Sequence, residues 1–277
     1  MPLARTADLV SAAYRAGSGL LAFNVITLES AEAIVAGAET ANRPVILQVS
    51  ENAVKFHNGR LAPVAAAATA VAAAAAVPVS VHLDHVEDEQ LLHAGADNGV
   101  SSAMFDASKL AYDLNVAATK AAVKWAHDRG MFLEAELGEV GGKDGAHAPG
   151  VRTDPAEAAA FVAATGVDAL AVAVGSSHAM SERTATLDFD LIGRLRSAVP
   201  VPLVLHGSSG VADDDLRKAV GAGITKINVG TLLNVHFTCA VREFLAADDS
   251  ATDPRKYLVP ARNAVAGAVA AVLGAIG

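Results

Sequence analysis

A single-domain α/β chain folded as a (β/α)8 barrel is the architecture this sequence predicts, and three observations lead to it. Eight β-strand-like apolar runs recur along the 277 residues, at 20–24, 45–50, 79–85, 100–106, 131–136, 168–175, 201–206 and 224–228. Ala-rich stretches long enough for a helix separate them, so the strands are expected to run parallel with a covered outer face. Most runs end in a residue able to bind a metal, move a proton or donate a hydrogen bond, and in this barrel the strand C-termini build the active site.

The elements follow in order. The first run ends at Asn24, and residues 27–42 follow as a helix with Thr27 as its N-cap. The second ends at Ser50, and the next helix, 65–77 between Pro63 and Pro78, is too short and too rich in Ala to be a bilayer span. The third run ends in Asp84-His85, the fourth in Asp106 and the fifth in Glu136. After the fifth comes the longest connection, 138–153, whose glycines at 141, 142, 145 and 150 mark it as a candidate mobile loop on the catalytic face. Asp154-Pro155 opens a helix closed by Thr165-Gly166, with a cap, a Pro at the first position and a terminal Gly. His178 lies just beyond the sixth run, His206 ends the seventh, and Asp213 is expected to cap the helix that ends near Gly221–Gly223. Asn228 ends the eighth, and residues 261–277 form an extra C-terminal helix, packed rather than anchored in a membrane.

Composition narrows the partners. With 52% hydrophobic residues a sizeable core is available, and 21 Lys+Arg against 30 Asp+Glu, net −9, argues against a broad nucleic-acid surface or attraction to anionic membranes. Any bound phosphate must therefore be held by local donors. Cys239 is the one cysteine, so no intrachain disulfide forms, and the opening MPLARTADLV lacks the apolar region of a secretory signal; a cytoplasmic enzyme is expected.

The sharpest local motif is His82-Leu83-Asp84-His85. Alternation sends Ser80, His82 and Asp84 inward and Val79, Val81 and Leu83 toward the helices. His85 can then reach the barrel mouth only if the chain bends where the strand ends. Together with His178 and His206 it would give three imidazoles from three strand ends with one coordination position open, the pattern of a catalytic zinc site. His57, His93, His127, His147 and His236 fall in helices or loops, and His82 lies below Asp84 inside the barrel. Phosphate chemistry is suggested by Gly207-Ser208-Ser209-Gly210 after the seventh run and Asn228-Val229-Gly230-Thr231 after the eighth, the usual phosphate position of this fold. Two residues before the strand tips, Gln48, His82, Glu134 and Lys226 also point inward, and Glu134 and Lys226 are expected to share a buried network.

These motifs, with Ala22-Phe-Asn-Val, Gln48-Val-Ser-Glu, Met104-Phe-Asp-Ala-Ser, Leu133-Glu-Ala-Glu-Leu-Gly, Lys226-Ile-Asn-Val and Asp253-Pro-Arg-Lys-Tyr, give nearly the whole chain a likeness. It resembles the class II, zinc-dependent ketose-bisphosphate aldolases, which include fructose- and tagatose-bisphosphate aldolases. The resemblance implies reversible cleavage of a ketose 1,6-bisphosphate, fructose first and tagatose second, to dihydroxyacetone phosphate and glyceraldehyde 3-phosphate. It implies zinc on His85, His178 and His206, with Glu136 an alternative ligand as the metal shifts, and Asp84 as acid/base for the C4 hydroxyl. Asp106 resembles a carboxylate that supports the site. Gly207, Ser209, Asn228 and Thr231 match positions around the dihydroxyacetone phosphate moiety, and Arg255 the arginine for the distal phosphate. The counterparts of Asn24 and Ser50 lie near the reacting carbons and the distal end. Asp144 stands where the family carries a loop glutamate that protonates the enediolate carbon, one methylene shorter. Some relatives add a monovalent cation, Na+ or K+, and a homodimer or homotetramer is implied.

Departures bear on substrate choice. His178-Ala179 replaces His-Gly, and Gly230 replaces a side chain beside the phosphate, so another phosphorylated ketose is an alternative. A Schiff-base aldolase using Lys226, a metal-dependent barrel hydrolase and a non-catalytic sugar-phosphate binder are the other readings.

Overall fold

The computed structural model describes residues 3–137, 151–177, 180 and 182–276. Eight parallel strands close into a barrel in chain order, with the first paired to the last. They are β1 (Leu20–Asn24), β2 (Val45–Ser50), β3 (Val79–Val86), β4 (Ser102–Phe105), β5 (Phe132–Glu136), β6 (Ala169–Ala171), β7 (Leu203–Leu205) and β8 (Ile224–Val229). The helices are α1 (Thr6–Ala16), α2 (Leu28–Ala41), α3 (Glu51–Phe56), α4 (Leu61–Ala74), α5 (Glu89–Asp97) and α6 (Tyr112–His127). Then follow α7 (Pro155–Thr165), α8 (Phe189–Ala198), α9 (Asp213–Ala222), α10 (Thr231–Ala247) and α11 (Pro254–Ile276).

Strand alternation divides the core into two shells. Leu21, Phe23, Val45, Leu47, Val79, Val81 and Leu83 face the helices in one large cluster, while Leu20, Ala22, Ile46, Met104 and Val204 fill the lower barrel with Val10 and Ala13 of α1. Thus α1, to which the sequence assigned no element, plugs the bottom. Its buried Thr6 hydroxyl donates to Ser80 Oγ at 3.0 Å and accepts from Ser102 Oγ at 2.6 Å, so the polar atoms carried there by β3 and β4 are paired.

Capping chemistry sets several helix ends. Thr27 caps α2 in a reciprocal box with Ser30, and Asn42 ends it at φ 50°. Asp154 Oδ1 accepts from Ala156 and Glu157 N–H at 2.9 and 3.0 Å, with Pro155 next and Gly166 closing α7 at φ 75°. The expected Asp213 cap is not made: Ala212 holds the N-cap position of α9, and Asp213, inside the first turn, pairs with Arg183 at 2.7 Å. Helix α4 begins four residues earlier than expected, because Pro63 sits in its first turn, where a missing N–H leaves nothing unpaired. Strand β6 is shorter than its apolar run. Beyond it, Ala173 N–H donates to Thr153 Oγ1 and Asp188 N–H to Val174 O, so loops rather than a neighbouring strand take those groups.

Helix α11 is long and apolar enough by composition to cross a bilayer, but it buries Ala261, Val265, Val269, Val272 and Leu273 and packs on α2, α9 and α10. The closest approach is at Gly37 of α2, where a Cβ would stand 2.5 Å from Ala266 O and 2.6 Å from Val269 Cβ. Gly37→Ala should therefore destabilise the fold by about 1–3 kcal/mol through overpacking. Urea denaturation measures this, and an unchanged midpoint would mean that α11 is not seated on α2.

Candidate active site

At the C-terminal face of the barrel lies a cavity of about 500 Å3, lined by Asn24, Ser50, Asp84, His85, Ser177, Gly207, Ser209, Asn228, Gly230 and Thr231 among others. Six of the strands or the turns directly after them supply these side chains. The condition set by the sequence for His85 is met. Its backbone is left-handed, φ 49°, and the β3–β4 register slips between Leu83 and Val86, so the chain bends and adjacent residues Asp84 and His85 both face the mouth. A non-Gly residue at such a φ is strained and is held by its contacts: His85 Nδ1 lies 2.9 Å from Asp106 Oδ2.

His206, fully buried, stands edge-on to His85 with ring centroids 4.8 Å apart. Glu136 Oε2 lies 3.5 Å from His206 Nδ1 and 3.9 Å from His85 Nδ1. Two overlapping groups have donor atoms close enough for one cation: Asp84, His85 and His206, and His85, Asp106 and Glu136. His178 and Asp144, the remaining ligand and loop acid expected from the sequence, lie outside the described residues.

Beneath this cluster the expected polar layer is present. Lys226 Nζ donates to Glu134 Oε2 and to Asn228 Oδ1, each at 2.8 Å, and Glu134 Oε1 lies 3.2 Å from His206 Nε2. Asn228 Nδ2 donates to Asp84 Oδ1 at 3.2 Å, while Gln48 Nε2 reaches Asp84 Oδ2 at 3.5 Å and donates to Asn24 Oδ1. Charges adjust accordingly. Burial resists ionisation of Glu134 and Asp84, yet Lys226 next to Glu134, and His85 next to Asp84, hold both carboxyls below their usual range. Burial likewise resists protonation of His206, but Glu134 and Glu136 raise it to about 9. For His82, burial, with Lys226 nearby, outweighs the pull of Glu134 and Asp84 and lowers it to about 3.

The glycine positions are steric. Gly207 has φ 67°, and a Cβ there would meet the Ser177 backbone at 2.5 Å, so the loops after β6 and β7 touch only because residue 207 lacks a side chain. Ser209 Oγ accepts from Leu232 N–H at 3.1 Å, tying the Ser208–Gly210 turn to the start of α10. Gly207, Ser209, Gly230 and Thr231 thus frame one side of the cavity beside a helix N-terminus. Arg255 does not join them: it lies exposed at the start of α11, bonded to Asp253 at 2.7–3.1 Å, and is not part of the lining.

Sequence reasoning missed the outer rim. Glu51, Asn52, Lys55, Glu87, Lys109 and Asn234 also line the cavity. Glu51 bonds Lys55 at 2.7 Å and accepts the Glu87 and Asp88 N–H groups at 2.7 and 3.2 Å, and Lys109 pairs with Glu87 at 3.0 Å. The available signal was the Glu51/Lys55 spacing of four immediately after a strand end, which reads as a helical ion pair.

Fold and site together define a (β/α)8 barrel with a polar cluster, close-set enough for one cation, at its strand ends. The family model described as fructose-bisphosphate aldolase class-II matches residues 4–277, and the chain belongs to that family. Fructose-bisphosphate aldolase of Geobacillus stearothermophilus is 38% identical over 268 residues, covering 96% of this chain and 93% of that protein. The Staphylococcus aureus Mu50 protein of the same name is also 38% identical, covering 96% and 94%. Among solved structures, the YdjI aldolase from Escherichia coli K12 superposes with TM-score 0.88 at 33% identity, covering 99% and 97% of the two chains. A putative fructose-1,6-bisphosphate aldolase from Coccidioides immitis gives 0.87 at 29%, covering 98% and 96%.

His82 supplies a pH test. In the unfolded chain it takes a proton near pH 6.5, and in the fold only near 3, so between these values the unfolded state binds more protons. Its contribution to stability is complete above pH 6.5 and is lost as the pH falls toward 3. Urea midpoints measured from pH 7 to about 4 should fall more steeply for the native chain than for His82→Gln; parallel slopes would remove His82 from the acid response.

Proposed function

We propose that the chain, acting as one barrel domain over residues 1–277, cleaves a ketose 1,6-bisphosphate reversibly to dihydroxyacetone phosphate and glyceraldehyde 3-phosphate with zinc as its metal. Fructose 1,6-bisphosphate is the first substrate and tagatose 1,6-bisphosphate the second. The observation that carries this reading is that Asp84 and His85 line one cavity with the Gly207/Ser209/Thr231 frame, while buried His206 has a donor atom close enough to theirs for one cation. A cytoplasmic homodimer or homotetramer accompanies the reading, on the family likeness.

The donor set fits a zinc ion. Two imidazoles and a carboxylate converge, and the Glu134 and Glu136 carboxylates, 3.2 and 3.5 Å from the His206 ring nitrogens, favour a positive charge there. His85 and His206, with His178 and with Glu136 as an alternative, would hold the ion; Asp106, bonded to His85 Nδ1, would fix that ring's orientation. When bound, zinc supplies Lewis acidity at the substrate carbonyl.

The chain's own residues do the rest. The Gly207–Ser209 turn and the α10 N-terminus receive the 1-phosphate, and Asn228 and Asn24 line the cavity beside Asp84. As C3–C4 breaks, the C4 hydroxyl gives its proton to the Asp84 carboxylate and becomes the aldehyde, while the bonding pair passes to the C2–C3 unit as an enediolate. Asp144 then protonates C3 to release dihydroxyacetone phosphate; in condensation both protons retrace their paths. Ser50 and the rim lysines Lys55 and Lys109 serve the distal phosphate from the cavity lining; Arg255, which lies off that lining, is assigned to it on the family likeness alone.

The Schiff-base alternative loses support, since Lys226 is fully buried and engaged by Glu134 and Asn228 instead of facing a carbonyl.

Cleavage assays on fructose and tagatose 1,6-bisphosphates, with chelator and zinc add-back, test the assignment. Activity should vanish on chelation and return with zinc; chelator-resistant turnover would exclude the metal-dependent mechanism. Asp84→Asn should lower kcat by about 10²–10⁴-fold with zinc retained. Asp106→Asn should weaken zinc binding about 10–100-fold, read by competition with a chromogenic chelator.

A further inference from the structure

We propose that Lys226 is a positioning residue for proton transfer: it orients the Asn228 amide so that Asn228 donates a hydrogen bond to the Asp84 carboxylate. The inference rests on the assignment of Asp84 as the group that takes the C4 hydroxyl proton.

An ammonium has donors and no acceptor, so the atom of Asn228 that faces Lys226 Nζ at 2.8 Å must be the carbonyl oxygen. That choice turns the amide nitrogen toward Asp84 Oδ1, 3.2 Å away. Were Lys226 absent, the amide could rotate by half a turn and present its oxygen to a carboxylate, a contact with no proton in it. Lys226 is itself immobile: it has no exposed surface, and Glu134 Oε2 holds a second of its protons at 2.8 Å. Glu134 is anchored in turn by His206 at 3.2 Å. The chain Glu134–Lys226–Asn228–Asp84 therefore fixes which way one amide points, and through it one oxygen of Asp84. The other oxygen faces Gln48 Nε2 at 3.5 Å. With one oxygen secured, the carboxylate keeps its aim toward the cavity while a substrate hydroxyl approaches.

This role separates the two proton transfers. Cleavage depends on Asp84, whereas exchange of the C3 proton of dihydroxyacetone phosphate uses the loop acid and bypasses Asp84. A lysine needed only for folding or for the metal would support both. A lysine that aims Asp84 would support cleavage alone.

The experiment compares native chain and Lys226→Met in two assays: cleavage of fructose 1,6-bisphosphate, and exchange of the C3 proton of dihydroxyacetone phosphate with deuterated water, both at saturating zinc. The expected result is a fall of about 10²-fold in kcat for cleavage with KM, zinc content and exchange rate near native. Because Lys226→Met leaves Glu134 buried without its partner, Lys226→Met combined with Glu134→Gln is measured as well, and it replaces the single variant if that one fails to fold. Equal loss of cleavage and exchange, or no loss of either, overturns the positioning role while leaving the aldolase reading in place. A native chain that cleaves no ketose phosphate overturns both.

Discussion

An ammonium and a carboxylate 2.8 Å apart, neither with any exposed surface, sit inside this barrel, and the active face is organised from them. Lys226 and Glu134 could not remain charged there alone, since an isolated buried ion would give up its charge. Paired, they still contribute no more to stability than apolar residues of similar volume would. Their effect is directional. The spare oxygen of Glu134 meets His206 and the spare protons of Lys226 meet Asn228, so one ion pair sets the orientation of an imidazole and of an amide on different strands. Nearer the mouth, Asp84 takes its hydrogen bond from that amide.

The second constraint is the bend at the end of β3. A regular strand would send Asp84 and His85 to opposite faces, and the left-handed backbone at His85 brings both to one cavity. Such strain persists where surrounding contacts enforce it, and Asp106, carried by the next strand's end, supplies the contact on His85. A proton carrier and a cation ligand thereby become immediate neighbours.

Much of this was legible in the sequence because period-two alternation is a local property. It identified His82, Glu134, Gln48 and Lys226 as inward-facing, and strand ends as sites of chemistry. It also stated the bend that His85 requires. What it could not carry was contact between segments far apart in the chain. The apolar run after Asp168 looks like one long strand, yet Thr153 and Asp188 take its backbone bonds after Val172. Asp213 has the chemistry of a cap, but Arg183 competes for it. Likewise α1 closes the barrel floor through hydroxyl contacts that no periodicity announces, and the rim lysines are brought to the cavity by the short helix α3 and by the loop after β4.

Glu51 gives the rim an evolutionary consequence. One nearly buried carboxylate grips Lys55 on its own helix and two backbone amides of the loop after β3, whose Glu87 in turn grips Lys109. The groups facing the outer end of a substrate are thus a clasp of one short helix and two loops, not four independent side chains. A lineage drifting toward a new aldehyde partner cannot sample these positions one at a time: a change at 51 removes the acceptor of the backbone amide at 87, and a change at 87 removes an ion-pair partner of 109. Preference at this end of the cavity should be inherited in linked sets, with epistasis between positions more than thirty residues apart.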